Sequence, residues 1–334
     1  MGDPNTTLSF STKRANPGET LRNRPAYDII GDVHGHARAL RALLEHMSYR
    51  EHRGAYRHSS RTAIFVGDLI DRGPANIEAA TIARQMVEEG AARIVMGNHE
   101  FNAIAFHTED PERPGEFLRP HTSKNVKQHK ATLQEFEARP DQKRLLLDWF
   151  RTLPLFIDLP EIRVVHACWD RQSRAELAPS LNPDHSMPEH LFVSACRAGT
   201  SEHAARDTLV NGPELNLPDG VSFLDKGGDR RTAMRLKWWL CGSGHLPFRE
   251  AGLGLDDQEQ SALPDYDLPA DTHRRFVPDD KPTFFGHYWF CNLPPAPTSP
   301  TTACVDYSIA RSGTLVAYRW DGEQELSSDK FCFL

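Results

Sequence analysis

Five short segments carry residues whose types and spacing could hold metal. Three read Gly31-Asp32-Val33-His34-Gly35, Gly67-Asp68-Leu69-Ile70-Asp71-Arg72-Gly73 and Gly97-Asn98-His99-Glu100, and two later ones end in His166 and His287. Each follows an apolar run, so each sets an oxygen or imidazole donor at the end of an expected strand. Asp32, His34, Asp68, Asn98, His166 and His287 together offer carboxylates, an amide oxygen and imidazoles. Mixed oxygen and nitrogen donors without thiolate suit manganese, iron, zinc or nickel. They exceed what one tetrahedral ion needs, and a carboxylate bridging two ions ~3.5–4 Å apart would use them all. Paired cations at that spacing activate a bridging hydroxide and neutralise a phosphate ester undergoing in-line attack.

The elements that must position these donors follow from the apolar pattern. Residues 27–30, 62–66 and 92–96 are short apolar or β-branched runs, and each ends at a glycine. A helix is expected over 37–47, with Leu40, Leu43, Leu44 and Met47 on one face. Pro74 fits the first turn of a second helix carrying Ile77, Ala80, Thr81 and Arg84. The repeated order of strand, glycine, polar cluster and helix predicts an α/β fold with functional loops at the carboxyl ends of neighbouring strands. Residues 101–150 read as a helical insertion broken around Pro111 to Gly115. Residues 155–159 and 163–167 form a β pair, and 283–286, 303–307 and 315–320 are further strands. Residues 170–218 give no clear pattern, and 242–280 read as loop. The organisation expected is a flexible tail over 1–25, a single domain over 26–325 and a C-terminal tail over 326–334.

Composition bounds the partners. The 334 residues carry a net charge of −7, which argues against a broad duplex nucleic-acid surface. Apolar runs never approach the length of a spanning helix, and the N-terminal residues lack the apolar core of a secretory signal. The six cysteines include no C-x-x-C pair, which points to reduced thiols and a cytoplasmic setting. The phosphate-cradling G-x-x-x-x-G-K-[ST] motif is absent.

The ordered motifs GD-x-HG, GD-x-x-DRG and GNHE, followed by two isolated histidines, resemble the calcineurin-like metallophosphoesterases. The DRG and GNHE wording is similar to the phosphoprotein phosphatase branch, which includes symmetrical diadenosine tetraphosphate hydrolases. The resemblance implies an α/β/β/α fold, a two-sheet β-sandwich flanked by helices. It implies two divalent ions, manganese first with iron, zinc or nickel as alternatives. Asp32 and His34 would bind the first metal and Asp68 would bridge. Asn98, His166 and His287 would complete the second. His99 would protonate the leaving oxygen, Asp71 would orient it, and Arg72 would grip phosphate, with Asn98 beside it. A second phosphate-binding arginine is expected between the late histidines, Arg235 first and Arg231 second.

The substrate implied is a phosphoprotein or a nucleotide, with a symmetrical dinucleoside tetraphosphate as one form of the latter. A non-catalytic binding module would be expected to have lost a ligand or the acid pair, and this sequence keeps all of them. Tyr288-Trp289 reads as an aromatic patch able to stack on a base. Glu100 and His36 read as helix-start residues, Cys168 as a buried neutral thiol and Trp238-Trp239 as core.

Overall fold

A computed structural model of the chain describes residues 25–224, 230–241, 245–255, 257–261, 263–276, 281–291 and 294–334. The N-terminal tail read from the sequence lies, up to residue 24, outside the described residues. The elements that frame the site are β1 (Tyr27–Ile30), α1 (Ala37–His46), β2 (Thr62–Phe65), α2 (Asn76–Glu88), β3 (Ala92–Ile94), α3 (Asn98–Phe106), α4 (Ser123–Ala138), α5 (Pro140–Phe150), β4 (Phe156–Asp158), β5 (Arg163–Val165), β6 (Thr283–Phe285), β7 (Thr302–Cys304), β8 (Val316–Trp320) and β9 (Phe331–Phe333).

The strands form two main sheets. One runs β9-β8-β1-β2-β3 and the other β7-β6-β5-β4. β1, β2 and β3 are parallel, and β8 joins β1 antiparallel with Tyr27 opposite Trp320. In the second sheet β5, β6 and β7 are parallel and β4 is antiparallel. Strands covered on both faces favour apolar residues at consecutive positions, which is why 62–65 reads as a short run rather than an alternation; in 27–30 the exception is the buried Asp28, paired with Arg61 and Arg319. Alternation decides which layer each residue enters. Ile29, Ile64, Val164 and Phe284 meet in a core between the two sheets, whereas Ile30, Phe65, Val165 and Phe285 join a second core shared with the helices. This is the two-sheet sandwich flanked by helices that the motifs implied.

On α1 the buried residues include Leu40, Leu43 and Leu44, the face its periodicity set. α2 starts at Asn76, so Pro74 precedes the helix instead of lying in its first turn. The exposed amides of that start are capped from outside: Glu135 on α4 accepts from the backbone N–H of Asn76 at 2.7 Å and of Ile77 at 3.0 Å. The insertion thus contains two long helices, α4 and α5, and is clamped onto the main domain.

Two expectations need correction. Residues 326–334 are not a tail: β9 pairs with β8, Tyr318 opposite Phe331 and Val316 opposite Phe333. Short apolar segments such as Phe331–Phe333 are hard to distinguish from frayed ends without their partner. The 242–280 region, where described, holds short helices at Phe248–Ala251, Asp257–Ser261 and Ala270–Arg275. Each is too brief to show a helical period. No helix among the described residues is long and apolar enough to cross a membrane.

Candidate active site

The carboxyl ends of the strands converge as their glycines permit. Gly286 follows β6 so closely to the first loop that a Cβ there would lie 2.1 Å from Asp32 Oδ1. Gly67 has φ +99°, and a Cβ on it would meet the backbone N of Gly97 at 2.5 Å. Only glycine admits this approach of the second and third loops. The backbone around them is unusual too. His34, Asp68, Asp71, Arg72, His287 and Trp289 all have φ between +45° and +73°. Such left-handed non-glycine residues cost about 1–3 kcal/mol each where the conformation is strained and tend to cluster at functional sites.

The donors meet around Asp68. Its Oδ2 lies 3.6 Å from His34 Nε2 and 3.5 Å from His166 Nε2. Two overlapping groups, Asp68 with His34 and His99, and Asp68 with His166 and His287, each gather donor atoms within 4.8 Å and are buried. Asp32 stands 4.0 Å from His34 Nε2 and accepts from the His287 N–H at 3.2 Å. Asn98 Oδ1 is 3.0 Å from His166 Nε2 and 3.1 Å from His287 Nδ1.

These donors fit a cation. His34 Nδ1 donates to the Ile70 carbonyl and His166 Nδ1 to the Val66 carbonyl, so in each neutral ring Nε2 presents a lone pair. The His166 lone pair then faces the Asn98 oxygen, and His34 Nε2 and His287 Nε2 are buried without any hydrogen-bond partner. Buried lone pairs directed at one another and at carboxylates are unfavourable unless positive charge lies between them. Burial and the Asp306 and Asp68 charges push Asp32 well above the ordinary carboxylate range. Burial, with the nearby His99 charge, lowers His34 to about 3. A neutral imidazole is the form that ligates metal.

Beside this cluster His99 and Asp71 form a buried pair. His99 Nδ1 donates to Asp71 Oδ2 at 2.5 Å, and the His99 N–H donates to Asp68 Oδ1 at 3.0 Å. Burial opposes charge on His99, yet Asp68 and Asp71 together raise its proton affinity above the ordinary histidine value. The opposite Asp71 oxygen accepts from His129 Nδ1 at 2.7 Å and Thr132 Oγ1 at 2.6 Å, both on α4.

Residues 27–173 match the family model described as calcineurin-like phosphoesterase. The matched stretch contains the three motif loops and His166. It is 31% identical over 141 residues to the asymmetrical bis(5'-nucleosyl)-tetraphosphatase PrpE of Oceanobacillus iheyensis, an alignment covering 42% of this chain and 54% of that protein. The chain therefore spans about half the length of that relative. With the symmetrical bis(5'-nucleosyl)-tetraphosphatase of Vibrio cholerae it is 25% identical over 90% of this chain and 96% of the relative. A crystal structure of the cold-active protein-tyrosine phosphatase of a Shewanella species aligns over 90% of this chain and 76% of that one, with 15% identity and a TM-score of 0.48.

All six expected metal donors and the His99–Asp71 pair gather in one cluster, buried except for the half-buried Asn98. Arg72 lies at its edge, its Nη2 3.4 Å from His99 Nε2. Of the two candidate clamp arginines, Arg235 is half-buried in the Ala233–Leu236 strand, 5.8 Å from the Trp289 ring, whereas Arg231 is exposed. Tyr288 and Trp289 do not form one patch. Tyr288 is buried against Trp239 and Phe285, and only Trp289 faces the site's mouth. Trp238 and Trp239 are core, Cys168 is a buried thiol pushed well up by burial, and His36 sits at the start of α1.

Sequence reasoning missed four residues. Glu100 does more than start a helix. Its carboxylate accepts from the N–H groups of Asp68 and Leu69, each at 2.8 Å, and of Gly97 at 3.1 Å, tying the second loop to the third. Asp306, buried beside the cluster, accepts from Trp289 N at 2.8 Å and Ser308 N at 3.0 Å. Its place as a lone carboxylate within the apolar 303–307 run was an available signal. His129 and Thr132 had no signal beyond their spacing of three on a helix.

Proposed function

We propose that the chain is a metal-dependent phosphoesterase that holds two divalent ions, manganese first among the candidates, and hydrolyses phosphate monoesters or phosphoanhydrides. The observation that carries this reading is the sharing of Asp68 between two groups of buried donors. Asp32, His34 and Asp68 would hold one ion, and Asp68, Asn98, His166 and His287 the other. When bound, such a pair supplies an activated water and neutralises phosphate charge.

The chain's own residues do the rest. Arg72 and Arg235 bind the phosphoryl oxygens through planar guanidinium forks. His99 holds a proton at Nε2 and delivers it to the leaving oxygen, while Asp71 fixes the ring through Nδ1. General acid assistance of this kind is worth ~10²–10⁴-fold in rate. Fixing Asp71 falls to His129 and Thr132, so the α4 insertion is part of the catalytic frame.

Substrates of the nucleoside oligophosphate class are favoured. Both sequence relatives named above are bis(5'-nucleosyl)-tetraphosphatases, which supports this choice. The test is turnover of p-nitrophenyl phosphate with Mn²⁺ before and after EDTA, followed by diadenosine tetraphosphate and a phosphoserine peptide side by side. EDTA-sensitive turnover with preference for the dinucleotide is expected. Turnover unaffected by EDTA would remove the metal assignment, and preference for the peptide would remove the substrate assignment.

A further inference from the structure

Arg311 lies outside every motif and is placed where it can meet a substrate. It closes a single helical turn, Ile309–Arg311, flanked by Ser308 and Ser312 at φ +59° and +68°. Its guanidinium carbon stands 4.3 Å from the centre of the Trp289 ring, and that of Arg72 stands 4.0 Å from the same centre. The two cations are therefore separated by no more than the sum of these distances. Arg235 approaches the same ring at 5.8 Å. Among the described residues none of the three pairs with a carboxylate within salt-bridge distance.

The arrangement is fixed rather than incidental. Asp306 accepts from Trp289 N with one oxygen and from Ser308 N with the other, so one buried carboxylate locks both the tryptophan and the Arg311 turn. The Arg311 charge contributes to lowering the proton affinity of Arg72, behind the larger effect of its protein surroundings and against the pull of Asp68, Asp306 and Asp32. Three guanidiniums about one ring, none of them neutralised by a salt bridge and with Asp306 engaged by backbone N–H groups, form a site for negative charge.

Charge balance points to the ligand. A single phosphate in the site would already face the bound cations, Arg72 and Arg235. Arg72 touches His99, whereas Arg311 is exposed and reaches the cluster only across Trp289. A monoester leaves nothing for that outer charge to bind.

We propose that Arg311 grips a second, linked phosphate, so that Arg72, Arg235 and Arg311 about Trp289 form an oligophosphate subsite that selects phosphoanhydride chains over monoesters. The proposal rests on the phosphoesterase reading and deepens it.

The test needs no metal. Tripolyphosphate and orthophosphate are titrated calorimetrically into the full-length chain, stripped of metal with EDTA and dialysed. The wild type is expected to prefer tripolyphosphate by well over tenfold, and Arg311→Ala to cut that preference by about tenfold, the worth of one charge-assisted contact. Arg144→Ala, an exposed arginine on α5, removes the same net charge and should leave the preference intact. Equal affinity for the two anions in the wild type, or the same fall in Arg144→Ala as in Arg311→Ala, overturns the proposal. Failure of the underlying reading looks different: no Mn²⁺-stimulated turnover of p-nitrophenyl phosphate by the wild type, whatever the binding preference.

Discussion

The two sheets contribute to the site in different ways. Loops from the β1-β2-β3 side are tied to one another through their backbones. The N–H groups of Val33 and His34 both donate to the Asp68 carbonyl, and Glu100 gathers Asp68, Leu69 and Gly97. The β5-β6 side lends single side chains, His166 and His287, each fixed by one or two hydrogen bonds to the other sheet. A loop that must satisfy several backbone and side-chain constraints at once needs a run of specified residues. A strand end that supplies one imidazole needs only that residue and its placement. Motif length in the sequence thus measures how many constraints a loop bears.

This contrast can be broken experimentally. The largest effect is expected for Asp68→Asn, which strikes the atom shared by both donor groups. Mn²⁺-dependent p-nitrophenyl phosphate turnover should fall by ~10³-fold, the rate equivalent of several kcal/mol of charge stabilisation, and excess metal should not restore it. His287→Ala removes a donor from the second sheet alone. Its metal requirement should rise by ~10–100-fold, and saturating Mn²⁺ should recover part of the turnover. If the two variants respond alike to added metal, the unequal contribution of the sheets is wrong.

Legibility followed the same division. Asp32, His34, Asp68, Asn98 and His99 were readable because spacing, glycines and preceding apolar runs coincided. His166 and His287 were readable only through their order behind strands. The sandwich could be expected from the motif set, since short apolar runs alone do not say which sheet a strand joins. β9 was missed because its pairing with β8 is decided by tertiary contact. The arginines were hardest. Arg235 sits on the middle strand of a small three-stranded sheet and was expected only through the resemblance, and Arg311 sits on a single turn where no period or motif marks it. Tyr288-Trp289 misled for a related reason: adjacent residues on a turn face opposite ways, and one of the pair went to the core.

Smaller effects test the insertion. His129→Ala should reduce turnover by ~10–10²-fold, as expected when a catalytic group loses its orientation. The loss should be greater for an alkyl phosphate than for p-nitrophenyl phosphate, because only the poorer leaving group depends fully on the proton from His99. An equal loss with both substrates would make His129 a structural residue only.

The smallest effect concerns acid stability. Burial, then the charges of Lys143, His129 and His121, hold His107 at about 3 against an ordinary value of 6.5. The unfolded chain takes up that proton first. Stability from this residue is therefore complete above pH 6.5 and is lost as pH falls from there through 3. His107→Phe should remove about 1 kcal/mol of the acid-side loss, read from urea midpoints at pH 7 and pH 4. Parallel midpoints in variant and wild type would show that His107 does not contribute.

β1, which leads into the Asp32 loop, lies between β2, formed soon after it, and β8, formed far later in the sequence. Gly31 N, at the root of that loop, donates to the Val316 carbonyl at 2.9 Å. During synthesis β1 must therefore wait with one edge unpaired until Val316–Trp320 has been made. Contacts of such sequence separation slow folding and leave an exposed strand open to wrong partners in the meantime. A nascent or C-terminally clipped chain would carry every motif in the first hundred residues and still lack a working centre, so proteolytic loss of the last strands would silence the protein far from its chemistry.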